Sequence, residues 1–432
     1  MKITERQYTI VHLVSLLVPL IAIFYASIRF FEIDRIPYPY DDVGISPIPA
    51  HYMNIYNYEK FSTVKAIELF AVANSIPITR LDDKVVRKLF VGNIHGAESV
   101  GIIETNSSFK LLMLDKYGNI RVAERQSPVN DYVLQSKSLY IGPGRPLGFH
   151  IHPHLHDTLF VCDSLKGLLA VDLSDGDTVG ERVQLLTNAY SPQGQSTTHL
   201  DAINYLNDLD VTQDGHIVYF SSSTARGVVA YDSRDRYYDT MRSFLLTWLA
   251  GDISGRVFAY DMTSKATEFI ADDFYYANGV ALTADGSSLF VVETLGLRVW
   301  KVHLVGNKRG EKEVFLDHLP GMPDGVTRSR DGKSILISLV APLSPILPMG
   351  RSAFSRWLIA WALLSPFKVF FERLIKKCGC VIRVAADTAR VEAIYLDSDG
   401  SLLSTISSVT EDSSGRLFFG NLGGNFVSYF EQ

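Results

Sequence analysis

Residues 277–294 read ANGVALTADGSSLFVVET. A polar residue opens an alternating apolar run, an Asp-Gly pair turns the chain, and a second apolar run returns. Asp-Gly between two such runs is a strong hairpin signal. The pattern recurs: aligned on Asn278, it returns as LNDLDVTQDGHIVYFSSS at Asn207 and as PDGVTRSRDGKSILISL at Asp324. Weaker copies fall at Glu98 (AESVGIIETNSSFKLLML), Leu147 (RPLGFHIHPHLHDTLFVCDS) and Ser407 (SSVTEDSSGRLFFGNL). The six copies lie 49, 60, 71, 46 and 83 residues apart.

A small sheet of a hairpin plus one or two further strands cannot bury both faces alone. Six copies therefore predict units stacked radially about an axis, an all-β six-bladed propeller. The uneven spacing and the absence of Trp-Asp signatures argue against WD-type repeats. Third strands are expected at 166–173, 226–232, 297–304 and 425–430, where apolar and polar residues alternate. Residues 255–261 and 267–270 look like the outer hairpin of the third unit.

The rest of the chain is organised around this domain. From Ile10 to Ile28 run nineteen residues without formal charge, long enough to cross a bilayer as a helix. Lys2 and Arg6 precede the run. The expected order is a cytoplasmic tail (1–7), a transmembrane signal-anchor helix (8–31), an extended stalk or linker (32–74) and the propeller (75–432). That order is a type II membrane protein with a lumenal or extracellular propeller; a signal peptide cleaved near Ala26 is the rival reading. The sequon at Asn106 agrees with that orientation. A short helix is expected within 61–90. Residues 350–377, rich in Trp, Phe, Leu and basic residues, read as two short helices split at Pro366, forming either a membrane-surface pair or a lid on the propeller rim. A net charge of −6 without a basic run argues against nucleic acid as the main partner. Three cysteines, Cys162, Cys378 and Cys380, make no disulfide framework.

In a propeller the first strand of every blade lines the axis, so equivalent positions converge there. The equivalent positions are Glu98, Leu147, Asn207, Asn278, Asp324 and Ser407. Four of them, Glu98, Asn207, Asn278 and Asp324, offer carboxylate or amide oxygens. An all-oxygen set suits a hard divalent cation, calcium above all, and four side chains leave places for water or substrate. Against this stands the plain reading of Asn-Gly and Asp-Gly as turn chemistry.

The segments GAESV, GRPLGFHI, LNDLDVTQDGHIVYFSSS, ANGVALTADGSSLFVVETLGLRVWKV and LPGMPDGV resemble the strictosidine synthase-like family. That family falls within the calcium-dependent phosphotriesterase superfamily, with gluconolactonase-like proteins and paraoxonases. The resemblance implies a six-bladed propeller in which a Glu, two Asn and an Asp hold a catalytic divalent metal, matching Glu98, Asn207, Asn278 and Asp324. It also exposes departures. Ser407 stands where strictosidine synthase carries its catalytic Glu, so that condensation is not expected. Leu147 stands where paraoxonases carry a His, and Tyr205 where gluconolactonase-like enzymes carry a sugar-contacting Arg. Asp208 or His95 is left as the candidate general base. The run His150, His152, His154, His156 is expected to straddle a strand end and a turn, with a second metal or a proton shuttle as the sharper alternative. Asp163 and Glu293 are expected to brace blades. Two functions follow: a membrane-anchored hydrolase of small esters or lactones, or a non-catalytic binding propeller with a structural calcium ion.

Overall fold

The computed structural model describes residues 17–20, 35–36, 43–49, 64–105, 108–125, 132–174, 182–192, 200–227, 230–233, 236–344, 346–363 and 377–431. Six antiparallel four-stranded sheets form six blades. Their first strands are Ser99–Glu104, Pro146–Ile151, Leu206–Val211, Ala277–Leu282, Gly321–Arg328 and Ile406–Glu411. The strand Val86–Leu89 pairs antiparallel with Val427–Phe430 and completes the sixth blade, so the two ends of the domain close the ring. Blade five gains a fifth strand, Ile78–Arg80, laid parallel on Val391–Asp397.

Stacking buries the blades on both faces. The second strand of blade four, Ser288–Glu293, is buried at every residue. Its Leu289 and Val291 share one core with Val257 and Phe274 of blade three. Hydroxyls lock three of the six blade junctions. Ser221 Oγ donates to the Asn278 carbonyl at 2.7 Å, Ser338 Oγ to that of Ser407 at 2.7 Å, and Ser407 Oγ to that of Glu98 at 2.8 Å. Asp163 and Glu293 brace their blades as expected: Asp163 Oδ1 accepts from Leu165 and Lys166 N–H, and Glu293 from Tyr275 N–H and Trp300 Nε1.

Three expectations need correction. The third strand of blade three is Gly255–Asp261, paired with Ile217–Ser222 and followed by Thr267–Phe274. The alternating stretch at 226–232 instead contributes Ala230–Asp232 to a separate hairpin with Tyr237–Asp239. Alternation marks a strand but does not name its partner, and here the hairpin leads into a helix inserted between the second and third strands. Within the expected stalk, the described residues do not run free. Ile36, Val43, Ile45 and Ile48 are buried, and Ser46 N–H donates to the Ala250 carbonyl at 2.7 Å. Helix α1, Val64–Ala73, buries Ile67 and Ala71 against blades four and five.

The inserted helix α2, Met241–Ala250, packs against α4, Ala353–Leu363, which follows the short α3, Ile346–Met349. The first part of the 350–377 insertion is thus packed on the propeller. Arg356 of α4 is fully buried and donates to the Ser46 carbonyl at 2.5 Å. Residues 364–376 lie outside the described residues. So do the tail, Asn106 and nearly all of the expected 8–31 span, of which 17–20 are helical. Among the described residues no helix is long and apolar enough to cross a membrane.

Candidate axial cation site

The six first strands crowd together at the axis, and this explains the Asn-Gly and Asp-Gly pairs. Asn278 and Gly279 lie inside an extended strand, not in a turn. A Cβ on Gly279 would stand 2.5 Å from Val326 N and 2.7 Å from the Asp324 carbonyl, and one on Gly325 would stand 2.3 Å from the Ser407 carbonyl. Glycine follows the polar residue because the neighbouring blade's backbone occupies that space.

Glu98, Asn207, Asn278 and Asp324 are each 8% exposed or less. Their hydrogen bonds use the amide nitrogens and leave two carboxylate oxygens unmet. Asn207 Nδ2 donates to Ser223 Oγ at 2.9 Å, and Asn278 Nδ2 to Thr294 Oγ1 at 3.0 Å. These equivalent hydroxyls hold both amides by their nitrogens. Asn278 Nδ2 also donates to Asp324 Oδ1. Glu98 Oε2 and Asp324 Oδ2 are buried without a hydrogen-bond donor. Unmet carboxylate oxygens at the same place are costly. Burial accordingly pushes the Glu98 carboxyl up to about 7 against the opposing pull of Arg145, and pushes Asp324 well above the usual range, with the Glu98 charge adding to it. A divalent cation relieves all of this, and the donor chemistry of the quartet fits one of the hard, oxygen-seeking kind. Only two of the four are carboxylates. Among the described residues no group of three or more His, Cys, Asp or Glu gathers into a metal site.

A tunnel of about 1260 Å³ runs along the first strands, from Glu98, Asn207 and Asn278 to the hairpin tips at Pro153, Asp214, Asp285 and Asp331. Asp208 lines it. Its Oδ2 accepts from Val280 N–H at 3.0 Å, and burial holds the carboxyl up at about 7, with the Asp210 and Glu98 charges adding to it. His95, the other candidate base, does not line the tunnel. The chain turns at Gly96, whose φ is +55°, and the His95 ring sits edge-on to Tyr117 at 6.0 Å. The structure therefore brings Asp208 to the tunnel and leaves His95 outside it.

The histidine run straddles a strand end, as expected: His150 lies in the first strand of blade two and the other three beyond or at the turn. His150 Nε2 faces Asp210 Oδ1 at 3.2 Å, while His152 Nδ1 accepts from His154 and Leu155 N–H at 3.1 Å. His152 is thus used in the turn.

The other end of the axis is closed. Leu147, Tyr205, Tyr276 and Met322 share one apolar core with α2, α4 and Ile36, Val43, Ile45 and Ile48. Tyr276 OH donates to Tyr205 OH at 2.7 Å beneath this cap. Sequence reasoning missed Arg145, buried with Nη2 at 3.7 Å from Glu98 Oε2. Its signal was a single charge two residues before the blade-two register position, inside an otherwise apolar stretch.

Residues 207–307 match the strictosidine synthase family. Over 283 residues the chain is 30% identical to the adipocyte plasma membrane-associated protein of Danio rerio, a match covering 64% of this chain and 61% of the relative. It is 28% identical over 291 residues to protein strictosidine synthase-like 10 of Arabidopsis thaliana, covering 67% and 70%. Among solved structures, a gluconolactonase from Xanthomonas campestris aligns at 17% identity over 74% of this chain and 81% of that one, with a TM-score of 0.45. The match spans about three fifths of the Danio rerio relative's length. The matched domain and these relatives support the resemblance of this chain to the strictosidine synthase-like family.

Proposed function

We propose that this protein is a calcium-dependent hydrolase of arylesterase or lactonase type, acting at the axial quartet. The observation that carries the reading is the pair of buried carboxylate oxygens, Glu98 Oε2 and Asp324 Oδ2, left without donors beside two amides held by their nitrogens. When bound, the cation supplies Lewis-acid polarisation of an ester carbonyl. Asp208, at the tunnel wall beside the quartet, receives the proton of the attacking water. Ser223 and Thr294 fix the two amide oxygens so that little reorganises on binding. The apolar cap excludes water from the strand-start end. Anchoring of the propeller to a membrane through residues 8–31 belongs to the same proposal; the name of the Danio rerio relative agrees with it.

A second reading, a binding propeller with a purely structural ion, is favoured by the closed cap over the quartet. Hydrolysis of phenyl acetate and of a lactone panel by the full chain separates the two. Calcium-dependent turnover that disappears with chelator and in Asp208→Asn supports the hydrolase. Calcium-dependent stability with no turnover of any substrate leaves the structural ion.

A further inference from the structure

Arg145 is 3% exposed, and its Cζ lies 5.7 Å from the centre of the Tyr237 ring. Nη2 faces Glu98 Oε2 at 3.7 Å, whereas Nε and Nη1 reach no acceptor. A guanidinium carries five donors and no acceptor, so a buried one with Nε and Nη1 unmet calls for an anion. The unmet oxygens of Glu98 and Asp324 are its neighbours: Nη2 faces Glu98 Oε2, and the Glu98 charge in turn acts on Asp324. Orphans of both signs stand together, and a cation alone satisfies only half of them. Glu98 and Asp324 balance a divalent ion, which leaves the charge of Arg145 uncompensated. Among the described residues, Glu98 is the one carboxylate within ion-pair reach of it.

We infer that Arg145 is an anion seat, and that the axial site takes a carboxylate together with its cation. One carboxylate oxygen lies toward the quartet and the other accepts from Arg145, whose planar donors suit that group. Leu147, two residues on from Arg145, and Tyr205, on which the Arg145 charge acts, belong with Met322 to the apolar core at this end of the axis. The ligand is therefore a carboxylate on an apolar or aryl body rather than a phosphate or a polyol. The inference rests on the quartet being a cation site and deepens the hydrolase reading. In ester or lactone hydrolysis the acyl C–O bond breaks and the acyl carbon takes the hydroxyl of water. The leaving oxygen takes a proton, and the acid so formed ionises to the carboxylate that Arg145 holds.

Calorimetric titration of the full chain with calcium chloride, in saturating sodium benzoate or in sodium chloride of equal strength, tests this. Benzoate raises calcium affinity at least about fivefold, and calcium raises benzoate affinity by the same factor, as linkage requires. In Arg145→Gln the coupling falls below about twofold, whatever the calcium affinity of that variant; Arg145→Lys, which keeps the charge, retains part of it. If Arg145→Gln fails to fold, the wild-type comparison of benzoate with chloride decides. Equal calcium affinity in the two salts overturns the inference, as does coupling that persists in a folded Arg145→Gln. No calcium binding in either salt overturns both this inference and the quartet. Coupled binding without ester turnover supports the anion seat and removes only the hydrolase.

Discussion

Glu98→Gln tests the electrostatics of the axial site without any assumption about substrate. In the ion-free protein burial pushes Glu98 from the usual 4.5 up to about 7. A carboxyl raised on folding contributes stability that is fully present below 4.5 and lost as pH rises through about 7. That interval corresponds to about 3 kcal/mol, at about 1.4 kcal/mol per pH unit. Burial moves Asp208 and Asp324 in the same direction, so the ion-free propeller as a whole loses stability from pH 5 to pH 8. Glutamine copies the protonated form and carries no charge at either pH. With chelator present, the variant and the wild type therefore unfold at similar urea concentrations at pH 5. At pH 8 the variant is the more stable by about 3 kcal/mol.

Calcium narrows the difference. A ligand at one hundred times its dissociation constant adds about 2.7 kcal/mol to a protein that binds it only when folded. Wild type gains this at pH 8, where Glu98 is ionised, and the variant gains less. Urea unfolding at two pH values, with chelator or calcium, gives eight curves that check the argument. Identical pH slopes for wild type and variant in chelator would show that Glu98 is not a strained carboxyl. The cation argument built on it would then fall.

Two further outcomes test the architecture. Gly279→Ala places a methyl 2.5 Å from Val326 N and is expected to cost about 1–3 kcal/mol, as overpacking does; a neutral urea midpoint would refute the account of why glycine follows Asn278. Arg356→Met removes the donor to the buried Ser46 carbonyl and is expected to cost about 1–3 kcal/mol, with faster proteolytic cutting near residues 43–49; unchanged cutting would show that the cap does not depend on this bond.

The propeller was legible because its signal is repeated. Each hairpin is weak alone, but six share one register, and a register slip would turn every side chain to the wrong face. The same register placed the quartet, since equivalent positions must converge at an axis. What escaped had no such support. Residues 226–232 alternate as well as any third strand, yet the long insertion after Ser222 lets Ala230–Asp232 pair with Tyr237–Asp239. Ile36, Val43, Ile45 and Ile48 are isolated apolar residues among prolines, and their shared partner lies some two hundred residues away in α2. Arg145 belongs to no repeat. Its role depends on Glu98, which local sequence cannot bring near it.

The cap and the tunnel divide the axis chemically. At the strand-start end the quartet meets an apolar core that includes Tyr205, Tyr276, Leu147 and Met322. At the hairpin end the tunnel is lined by His150, His152, Asp210 and Asp214, and its volume of about 1260 Å³ is of the size that small organic ligands occupy. A ligand reaching Glu98 and Asn278 therefore comes along the tunnel, unless the cap opens. Each route makes a different demand on size. The tunnel passes Ile103, Ile151 and Thr410, so Thr410→Trp obstructs it without touching the quartet or the cap. Passage through the tunnel predicts that this variant slows calcium association in stopped flow at least about tenfold, while hydrogen exchange in α2 and α4 stays unchanged. An unaltered association rate would place the route at the cap, and Arg356→Met would then be the variant that speeds it.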